Sequence, residues 1–189
     1  LLFIYNNFFH TKNGKDIIAN ALLVDMETKV IDGCFNKSKN FEFIYDKELV
    51  VQKHSGSGNN WANGFFNHVP SIENIIIEKF TILLNKLFNV DSVILINSLA
   101  GGTGSGLGAY ISILIKENFP ELFLTTVNVW PSETGEVLVN KYNTLLSISE
   151  TYKVSDSMFI LENDDIFNVC KNVMKIKKIS YEHFNSIIS

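Results

Sequence analysis

Short apolar runs alternate along the chain with apolar stripes at helical spacing. The runs predict buried strands, and they lie at residues 21–24, 93–96, 122–130 and 157–161. The stripes recur every three or four positions and predict helices over residues 72–87, 110–115, 137–152 and 163–174. Strands that alternate with helices favour an α/β fold, with a mainly parallel sheet and helices on both of its faces.

The pattern is weaker near the beginning of the chain. Residues 1–19 show no clear period and are interpreted as a helix remnant followed by a loop at Asn13-Gly14. Residues 41–51 are aromatic and β-branched but have a mixed period, so they predict no single element. Ser71 is the predicted N-cap of the next helix, because its hydroxyl can accept a hydrogen bond from a free backbone N–H.

The later helices are predicted to pack through apolar side chains. In the helix at 137–152 these are Val139, Tyr142, Leu145 and Leu146. Asn163 is the predicted N-cap of the helix after it, whose stripe is Ile166, Val169, Cys170, Val173 and Met174. Residues 181–189 are predicted to begin one more helix.

Residues 99–108 read Leu-Ala-Gly-Gly-Thr-Gly-Ser-Gly-Leu-Gly and lie between the strand at 93–96 and the helix at 110–115. A glycine-rich turn there suits two purposes. Free backbone N–H groups and the positive end of the helix can hold a phosphate, with Thr103 and Ser105 adding hydroxyl donors. Alternatively, glycines allow a tightly packed turn where the backbone approaches another segment closely. The spacing leaves both interpretations open.

Familiar glycine motifs do not match this stretch. The dinucleotide pattern G-x-G-x-x-G is absent, because the glycines recur at every second position from Gly102 to Gly108. Gly101 and Gly106 have the P-loop spacing, but Leu107 stands where that loop needs its lysine. Ser105 is not flanked as in a nucleophile elbow. A phosphate bound here would therefore be held by backbone amides and hydroxyls.

Two other stretches carry candidate chemistry. Residues 55–64 form a second glycine-rich loop with side-chain amides, and Trp61 in its middle favours an anchored, functional loop over a plain flexible turn. Asp25 and Glu27 follow the strand at 21–24. Carboxylates at a strand's carboxyl end in an α/β sheet lie where ligands bind, although a solvated strand end explains them equally well.

Composition and charge narrow the class of protein. With 189 residues and 46% hydrophobic positions, the chain is expected to form a single domain over residues 1–189. The net charge of −4 gives no reason to expect nucleic acid or an anionic membrane as a partner, and no apolar stretch is long enough to cross a bilayer. All basic residues are lysines, which removes any arginine finger in cis. Cys34 and Cys170 suit a reducing compartment, and the scattered histidines predict no histidine or cysteine metal site.

Several stretches together resemble the tubulin family, and its delta branch most. The glycine signature of the family is similar to residues 100–106, and its second phosphate loop to residues 58–62. The remaining resemblances, in chain order, are residues 24–27, 141–143, 162–163 and 181–185. The resemblance implies a three-layer, Rossmann-like GTP-binding domain that lacks the first phosphate loop and the C-terminal domains of the family.

The resemblance also implies a role for each matching residue in binding GTP or GDP with Mg²⁺. Asn59 would approach the γ-phosphate, and Glu27 with Asp25 would hold Mg²⁺, largely through water. The residues implied to surround the phosphates are Ser98, Gly101, Gly102, Thr103, Gly104, Ser105 and Gly106. Those implied at the nucleoside are Asn163, which bonds guanine or ribose, Tyr181, which stacks on the base, and Asn185, which reads the edge of the base. Without the resemblance, Tyr181 would be interpreted as a buried core tyrosine.

Two positions depart from the family pattern. Asn140 stands in place of a ribose-binding carboxylate, and Glu136 in place of a small hydroxyl residue, so the sugar contacts are open. The acid that activates the hydrolytic water in the family belongs to a later segment and acts on the neighbouring subunit's nucleotide. The chain is therefore expected to bind GTP, and to take part in hydrolysis only on assembly.

The resemblance implies a delta-type cytoskeletal subunit of centrioles, basal bodies and ciliary or flagellar microtubules, with other tubulins as partners in the cytoplasm. Two alternatives stay open. One is a tubulin-like structural partner without nucleotide turnover, which the substitutions at Asn140 and Glu136 allow. The other is a stand-alone nucleotide-dependent α/β enzyme such as an oxidoreductase, against which the absence of the dinucleotide pattern counts.

Overall fold

The computed structural model describes residues 8–12, 14–38, 42–133 and 139–188. The expectations for residues 1–7 and for Glu136 lie outside this part of the chain. The chain forms two compact units. The first consists of the residues up to Gly56 together with Pro70–Val90, and the second of Ser57–Val69 together with the residues from Asp91 onward.

The first unit begins with a β-hairpin. Strand β1 (Phe9–Lys12) pairs antiparallel with β2 (Asp16–Ala19). The turn passes through Gly14 at a φ of +67°, a left-handed conformation that glycine adopts without steric penalty. The prediction of a helix remnant before the loop is therefore wrong for residues 9–12, whereas a turn at Gly14 is confirmed. Ile18 and Ala19 are buried, whereas Lys12 and Asp16 near the turn are exposed. Burial therefore changes along the hairpin instead of alternating from residue to residue, so the sequence shows no period of two.

Strand β3 (Leu23–Asp25) pairs parallel with β4 (Val50–Gln52), and helix α1 (Thr28–Ser38) lies between them in the chain. The predicted strand at 21–24 is confirmed, but it starts later and is half-buried rather than fully buried. Strand β4 begins at the end of residues 41–51, where the mixed period predicted no element. Its three residues are too few to establish a period.

Helix α2 (Glu73–Lys86) buries Ile76, Phe80 and Leu83. These belong to the predicted stripe, so the helix and its core face are confirmed. The prediction that Ser71 is the N-cap is wrong: Ile72 occupies that position without a side-chain hydrogen bond. Ser71 lies instead in a short 3₁₀ turn, and its hydroxyl accepts a hydrogen bond from the ammonium of Lys53. The Ser71 hydroxyl therefore bonds to Lys53 elsewhere in the unit and does not cap α2.

The second unit contains a parallel sheet of strands β5 (Ser92–Ser98), β6 (Phe123–Trp130) and β7 (Ser157–Glu162), in that order. Helices α3 (Gly108–Asn118) and α4 (Asn140–Val154) pack against each other and against the sheet. Leu124, Thr126 and Asn128 of the central strand are all completely buried on the helix side. The prediction of an α/β fold with parallel strands is confirmed.

The opposite side of this sheet is exposed within the described part of the chain. Ile94 is 47% exposed, Ile96 60% and Phe159 57%. The runs at 93–96 and 157–161 are therefore strands, as predicted. The prediction that they are fully buried is wrong. Alternate residues of a strand point to opposite faces, and α3 and α4 cover only one of them.

Helix α4 packs through its polar side rather than its apolar side. The predicted contacts are exposed: Val139 by 44%, Tyr142 by 71%, Leu145 by 68% and Leu146 by 43%. The buried residues of α4 are Asn140, Asn143, Thr144, Ser147 and Thr151. The helix is confirmed from Asn140 onward, whereas its predicted packing face is wrong. Polar residues at i, i+3 and i+4 form a stripe as regular as the apolar one.

After β7, helix α5 (Asn163–Asn168) continues into a π-helical turn at Val169–Val173, and helix α6 (Tyr181–Ile188) follows. Asn163 is the first residue of α5 and not its N-cap, which is Glu162. Of the predicted stripe, Ile166 and Cys170 are buried with Phe184 of α6, but Val173 is 73% and Met174 51% exposed. The π-helical turn changes the angle between successive side chains, so the stripe leaves the core there. None of the described helices is both long and apolar enough to cross a membrane.

Asp156 joins the start of β7 to its neighbours in the second unit. Its carboxylate accepts a hydrogen bond from the Leu124 N–H at 2.7 Å and forms an ion pair with Lys116 at 2.7 Å. The hydrogen bond from Lys116, and next the one from Leu124, hold the pKa of Asp156 below its usual range. The ionised carboxylate therefore favours the folded state above the pKa of the unfolded chain, near about 4.

We expect Asp156→Asn to weaken the pH dependence of stability in acid. In the unaltered chain this contribution is lost as the pH falls below about 4 through the lower folded-state pKa, whereas an amide has no proton to take up. Urea unfolding measured from neutral to acid pH tests this. Glu150→Gln, which removes a partly exposed carboxylate paired with Lys153 on one helix, is the control. An acid slope equal to that of the unaltered chain would contradict the role of Asp156.

Candidate functional site

The two glycine-rich loops of the second unit pack backbone to backbone. A Cβ atom on Gly102 would lie 2.6 Å from the Cβ of Ser57 and 2.7 Å from the Asn60 nitrogen. One on Gly106 would lie 2.1 Å from the Trp61 carbonyl oxygen, and one on Gly64 2.2 Å from that of Gly102. The glycines at these points leave room for the other chain segment, so the interpretation as tightly packed turns is correct for them.

Gly101 differs from its neighbours, because its surroundings are open. The only described atom near a Cβ at Gly101 would be the amide oxygen of Asn59, at 3.5 Å. Asn59 has a φ of +51° and follows Gly58 at +58°, so two successive left-handed residues turn the second loop. Asparagine tolerates this conformation better than most residues. The side chain of Asn59 is thereby placed beside Gly101, where the first loop is not tightly packed against the second.

The two hydroxyls of the first loop have different surroundings. Thr103 Oγ1 lies 2.9 Å from the hydroxyl of Ser57 in the second loop. Ser105 is completely buried and donates to the Gly101 carbonyl. The side chain of Ser105 thus stabilises the shape of its own loop, whereas Thr103 lies where the two loops meet.

The first loop leads into a helix without interruption. A π-helical turn at Thr103–Leu107 runs directly into α3, so the positive end of the helix is at the loop. Asn97, in the strand before the loop, donates from Nδ2 to the Gly104 carbonyl at 2.9 Å. A Cβ on Gly104 would lie 2.3 Å from the Ser98 carbonyl oxygen, so loop and strand are in close contact. The sequence did not predict a role for Asn97, which stands out only as a polar residue in an apolar strand.

Trp61 anchors the second loop. It is only 8% exposed, and its ring stacks on Phe65 with centroids 4.4 Å apart and planes 21° from parallel. Its backbone N–H donates to Oδ1 of Asn143 at 3.0 Å. Asn60 also stabilises this segment, since its side-chain oxygen accepts from the Ala62 and Asn63 N–H groups. An anchored loop was the structure expected from a tryptophan at this position.

The nucleoside candidates follow the same edge of the sheet as the first loop. In the register of the sheet, Ser98 is opposite Val129 and Val129 opposite Leu161, so the first loop and Asn163 both follow the carboxyl ends of strands. Ligands of open α/β sheets bind at this edge. Two strand spacings separate β5 from β7, about 10 Å.

Tyr181 and Asn185 lie one turn apart on α6, which packs on α5. Tyr181 is 77% exposed, so the interpretation as a buried core tyrosine is wrong and one face of its ring is free of the core. Its edge contacts Phe184, with ring centroids 5.8 Å apart. Asn185 is exposed as well. Residues at i and i+4 share a helix face, so both side chains project to the same side.

Asp25 and Glu27 lie in the first unit, directly after β3. Oδ1 of Asp25 accepts the Glu27 N–H at 2.9 Å, and burial raises the pKa of Asp25 above its usual range, with the Glu27 charge adding to the rise. The Glu27 carboxylate is exposed and would lie 3.2 Å from a Cβ on Gly56. No group of three or more histidine, cysteine or acidic side chains suited to a metal occurs in the described residues. A pair of carboxylates fits Mg²⁺, which takes few protein ligands and keeps water.

Residues 4–171 match the family described as the Tubulin/FtsZ family, GTPase domain. The chain belongs to the tubulin/FtsZ family. Tubulin delta chains of dog and human are each 36% identical to it over 183 residues, which is 96% of this chain. A tubulin beta-2 chain of Geotrichum candidum is 29% identical over the same length. Within the tubulin family the chain is therefore more similar to these delta chains than to this beta chain.

The chain spans 40% of the length of the delta chains that it matches. The match confirms the recognition of the family and the fold class that the glycine signature implied. The matched residues include both glycine loops and Asn163, whereas the stretch at 181–185 lies beyond them.

Proposed function

We propose that this chain is the GTP-binding part of a delta-type tubulin. The observation that carries the proposal is the pair of interlocked glycine loops, which leaves the backbone at Gly101 open beside the Asn59 amide. Neutral donors and a helix N-terminus suit the phosphates, which carry the negative charge themselves. The phosphate end of GTP or GDP then contacts Ser98, Gly101, Thr103 and Gly104, with Asn59 at the γ-phosphate. The buried Gly102, Ser105 and Gly106 hold the shape of the loop.

The exposed residues of α5 and α6 suit the nucleoside end. The accessible face of Tyr181 can stack on guanine, and the Asn185 amide offers both a donor and an acceptor to the edge of the base. Asn163, at the carboxyl end of β7, bonds guanine or ribose. Asn140, where the family has a ribose-binding carboxylate, is buried at the start of α4, so the sugar depends more on Asn163.

Glu27 and Asp25 are the proposed ligands of Mg²⁺, which would neutralise phosphate charge. Glu27, whose carboxylate is exposed, would hold the metal through water, and the half-buried Asp25 stabilises the strand end by accepting the Glu27 N–H. The water-activating acid comes from a later segment and acts on a neighbouring subunit, so hydrolysis depends on assembly. The partners are other tubulins, in cytoplasmic structures of the centriole, basal body or cilium.

We expect GTP with Mg²⁺ to raise the melting temperature of the chain. A ligand at a hundred times its Kd stabilises the folded state by about 2.7 kcal/mol. Tyr181→Ala should raise the Kd by about tenfold or more, because stacking of a base on an aromatic ring contributes about 1–3 kcal/mol. Thermal unfolding with titrated GTP measures both effects.

Tyr152→Ala is the matched control, since Tyr152 is 75% exposed on α4 against 77% for Tyr181. Its affinity for GTP should equal that of the unaltered chain. Glu27→Gln should weaken binding in Mg²⁺ but not in excess EDTA. If GTP gives no rise in melting temperature, GTP binding is refuted and a tubulin-like structural partner without nucleotide becomes the better interpretation.

A further inference from the structure

We propose that Asn143 is a positioning residue that sets the distance between the two phosphate loops. The proposal rests on the proposed GTP site, but it concerns a residue that contacts the loops and no ligand. Asn143 lies on the buried polar side of α4 and is 3% exposed. The side of a helix that faces a core is normally apolar, so a buried amide needs partners there to offset its desolvation.

Both the oxygen and the nitrogen of the Asn143 amide group bond to the loops. Oδ1 accepts the Trp61 N–H at 3.0 Å, whereas Nδ2 donates to the Asn59 carbonyl at 2.8 Å and to the Ala100 carbonyl at 2.9 Å. Asn59 and Trp61 belong to the second loop, and Ala100 to the first. Both N–H groups are used, one toward each loop. One side chain thus joins segments that are distant in sequence.

The two donated bonds flank the open part of the site. Ala100 directly precedes Gly101, and Asn59 carries the side chain that lies beside Gly101. Fixing the Ala100 and Asn59 carbonyls to one nitrogen therefore fixes how far the Asn59 side chain is from the Gly101 backbone. Thr144, the next residue of α4, adds a longer bond of 3.3 Å from Oγ1 to the Leu99 carbonyl, on the first loop only.

Only a side chain with one acceptor and two donors at this length can form all three bonds. Asn143→Asp keeps the size of the side chain and the bond from Trp61, but replaces two attractive contacts with repulsion between a carboxylate and two carbonyls. At low pH the protonated carboxyl regains one donor. Asn143→Leu has a similar volume and makes none of the bonds at any pH. The two variants therefore separate hydrogen bonding from packing.

The test measures GTP affinity for the 189-residue chain and its variants at two pH values. Near pH 8, Asn143→Asp should raise the Kd by about 10- to 100-fold relative to the unaltered chain, because two buried hydrogen bonds are lost. Burial beside two carbonyl oxygens should raise the pKa of the introduced aspartate well above its ordinary value of about 4. Near about pH 5 the ratio should therefore fall by about threefold or more, as protonation restores one donor. Asn143→Leu should show a large ratio at both pH values. Asn118→Asp, which alters an asparagine bonded only within α3, should match the unaltered chain.

A second measurement needs no nucleotide. Hydrogen exchange at the Trp61 backbone amide should become about tenfold faster in Asn143→Leu, which removes its acceptor, but stay nearly unchanged in Asn143→Asp. Equal GTP affinity for all chains, or a ratio for Asn143→Asp that does not change with pH, overturns the proposal. If the unaltered chain binds no GTP, the proposed function fails by itself. The exchange rates then decide alone: no acceleration in Asn143→Leu overturns the positioning role, and acceleration supports it.

Discussion

Gly106→Ala should lower the free energy of unfolding by about 3 kcal/mol, near the upper end of the range for overpacked interiors. The added Cβ would lie 2.1 Å from the Trp61 carbonyl oxygen and 2.8 Å from the Phe65 nitrogen, and both atoms belong to backbone. A flexible side chain could rotate away from such a contact. A backbone segment cannot do so without moving the second loop, so the strain affects the packing of both loops.

Gly101→Ala is the matched control in the same loop. Its Cβ would meet only the Asn59 amide oxygen, at the ordinary distance of 3.5 Å, and Gly101 is not among the residues of positive φ. Its unfolding free energy should change by less than about 1 kcal/mol, as for unstrained substitutions. Urea unfolding followed by circular dichroism compares the two variants. Similar stabilities would show that the loops do not interlock as described.

Phe184→Ala should destabilise the end of the second unit by about 3–5 kcal/mol, the usual range for a buried phenylalanine. Phe184 is 9% exposed and packs with Ile166 and Cys170 of the preceding helical segment. Helix α6 has only eight residues, too few for a helix that is stable without tertiary contacts. The loss should therefore appear first as faster amide exchange within α6, measured by mass spectrometry.

Ile187→Ala, on the same helix but 36% exposed, is the control and should leave α6 protected. Because α6 carries Tyr181 and Asn185, Phe184→Ala should also weaken GTP binding although Phe184 need not touch the nucleotide. Normal protection of α6 in the Phe184 variant would mean that other contacts hold the helix in place.

Local sequence patterns predicted the parallel strands and the longer helices of the second unit. The runs at 93–96, 122–130 and 157–161 became β5, β6 and β7, since β-branched and aromatic residues between turns define strands locally. Their burial was not predictable in the same way. Whether both faces of a sheet are covered depends on where distant helices pack, and this cannot be predicted from the residues of one strand.

The packing face of helix α4 was also not predictable from the local sequence. Its stripe of Tyr142 and Leu145 suggested the core face, yet Asn143 and Ser147 are the buried residues. Periodicity identifies two faces of a helix, and hydrophobicity normally decides which of them is inside. At Asn143 the buried position is polar because its amide bonds three loop backbone groups that need hydrogen-bond partners.

The candidate site was predictable in its composition but not in its geometry. The glycine signature and the second loop were apparent from the sequence, whereas their mutual contact was not. Gly102 and Ser57, which would clash if Gly102 carried a side chain, lie far apart in the chain. Asn97 was missed because a single polar residue in an apolar strand has no sequence signature.

The interlocked loops also have a kinetic consequence. Each loop has glycines at which atoms of the other occupy the space of a side chain, so moving either loop away exposes packed backbone of both. Local opening of the two loops is then a single cooperative event with one rate, as in other contiguous units of native-state exchange. Because the backbone at Gly101 is already open, a ligand there would enter and leave without waiting for that event.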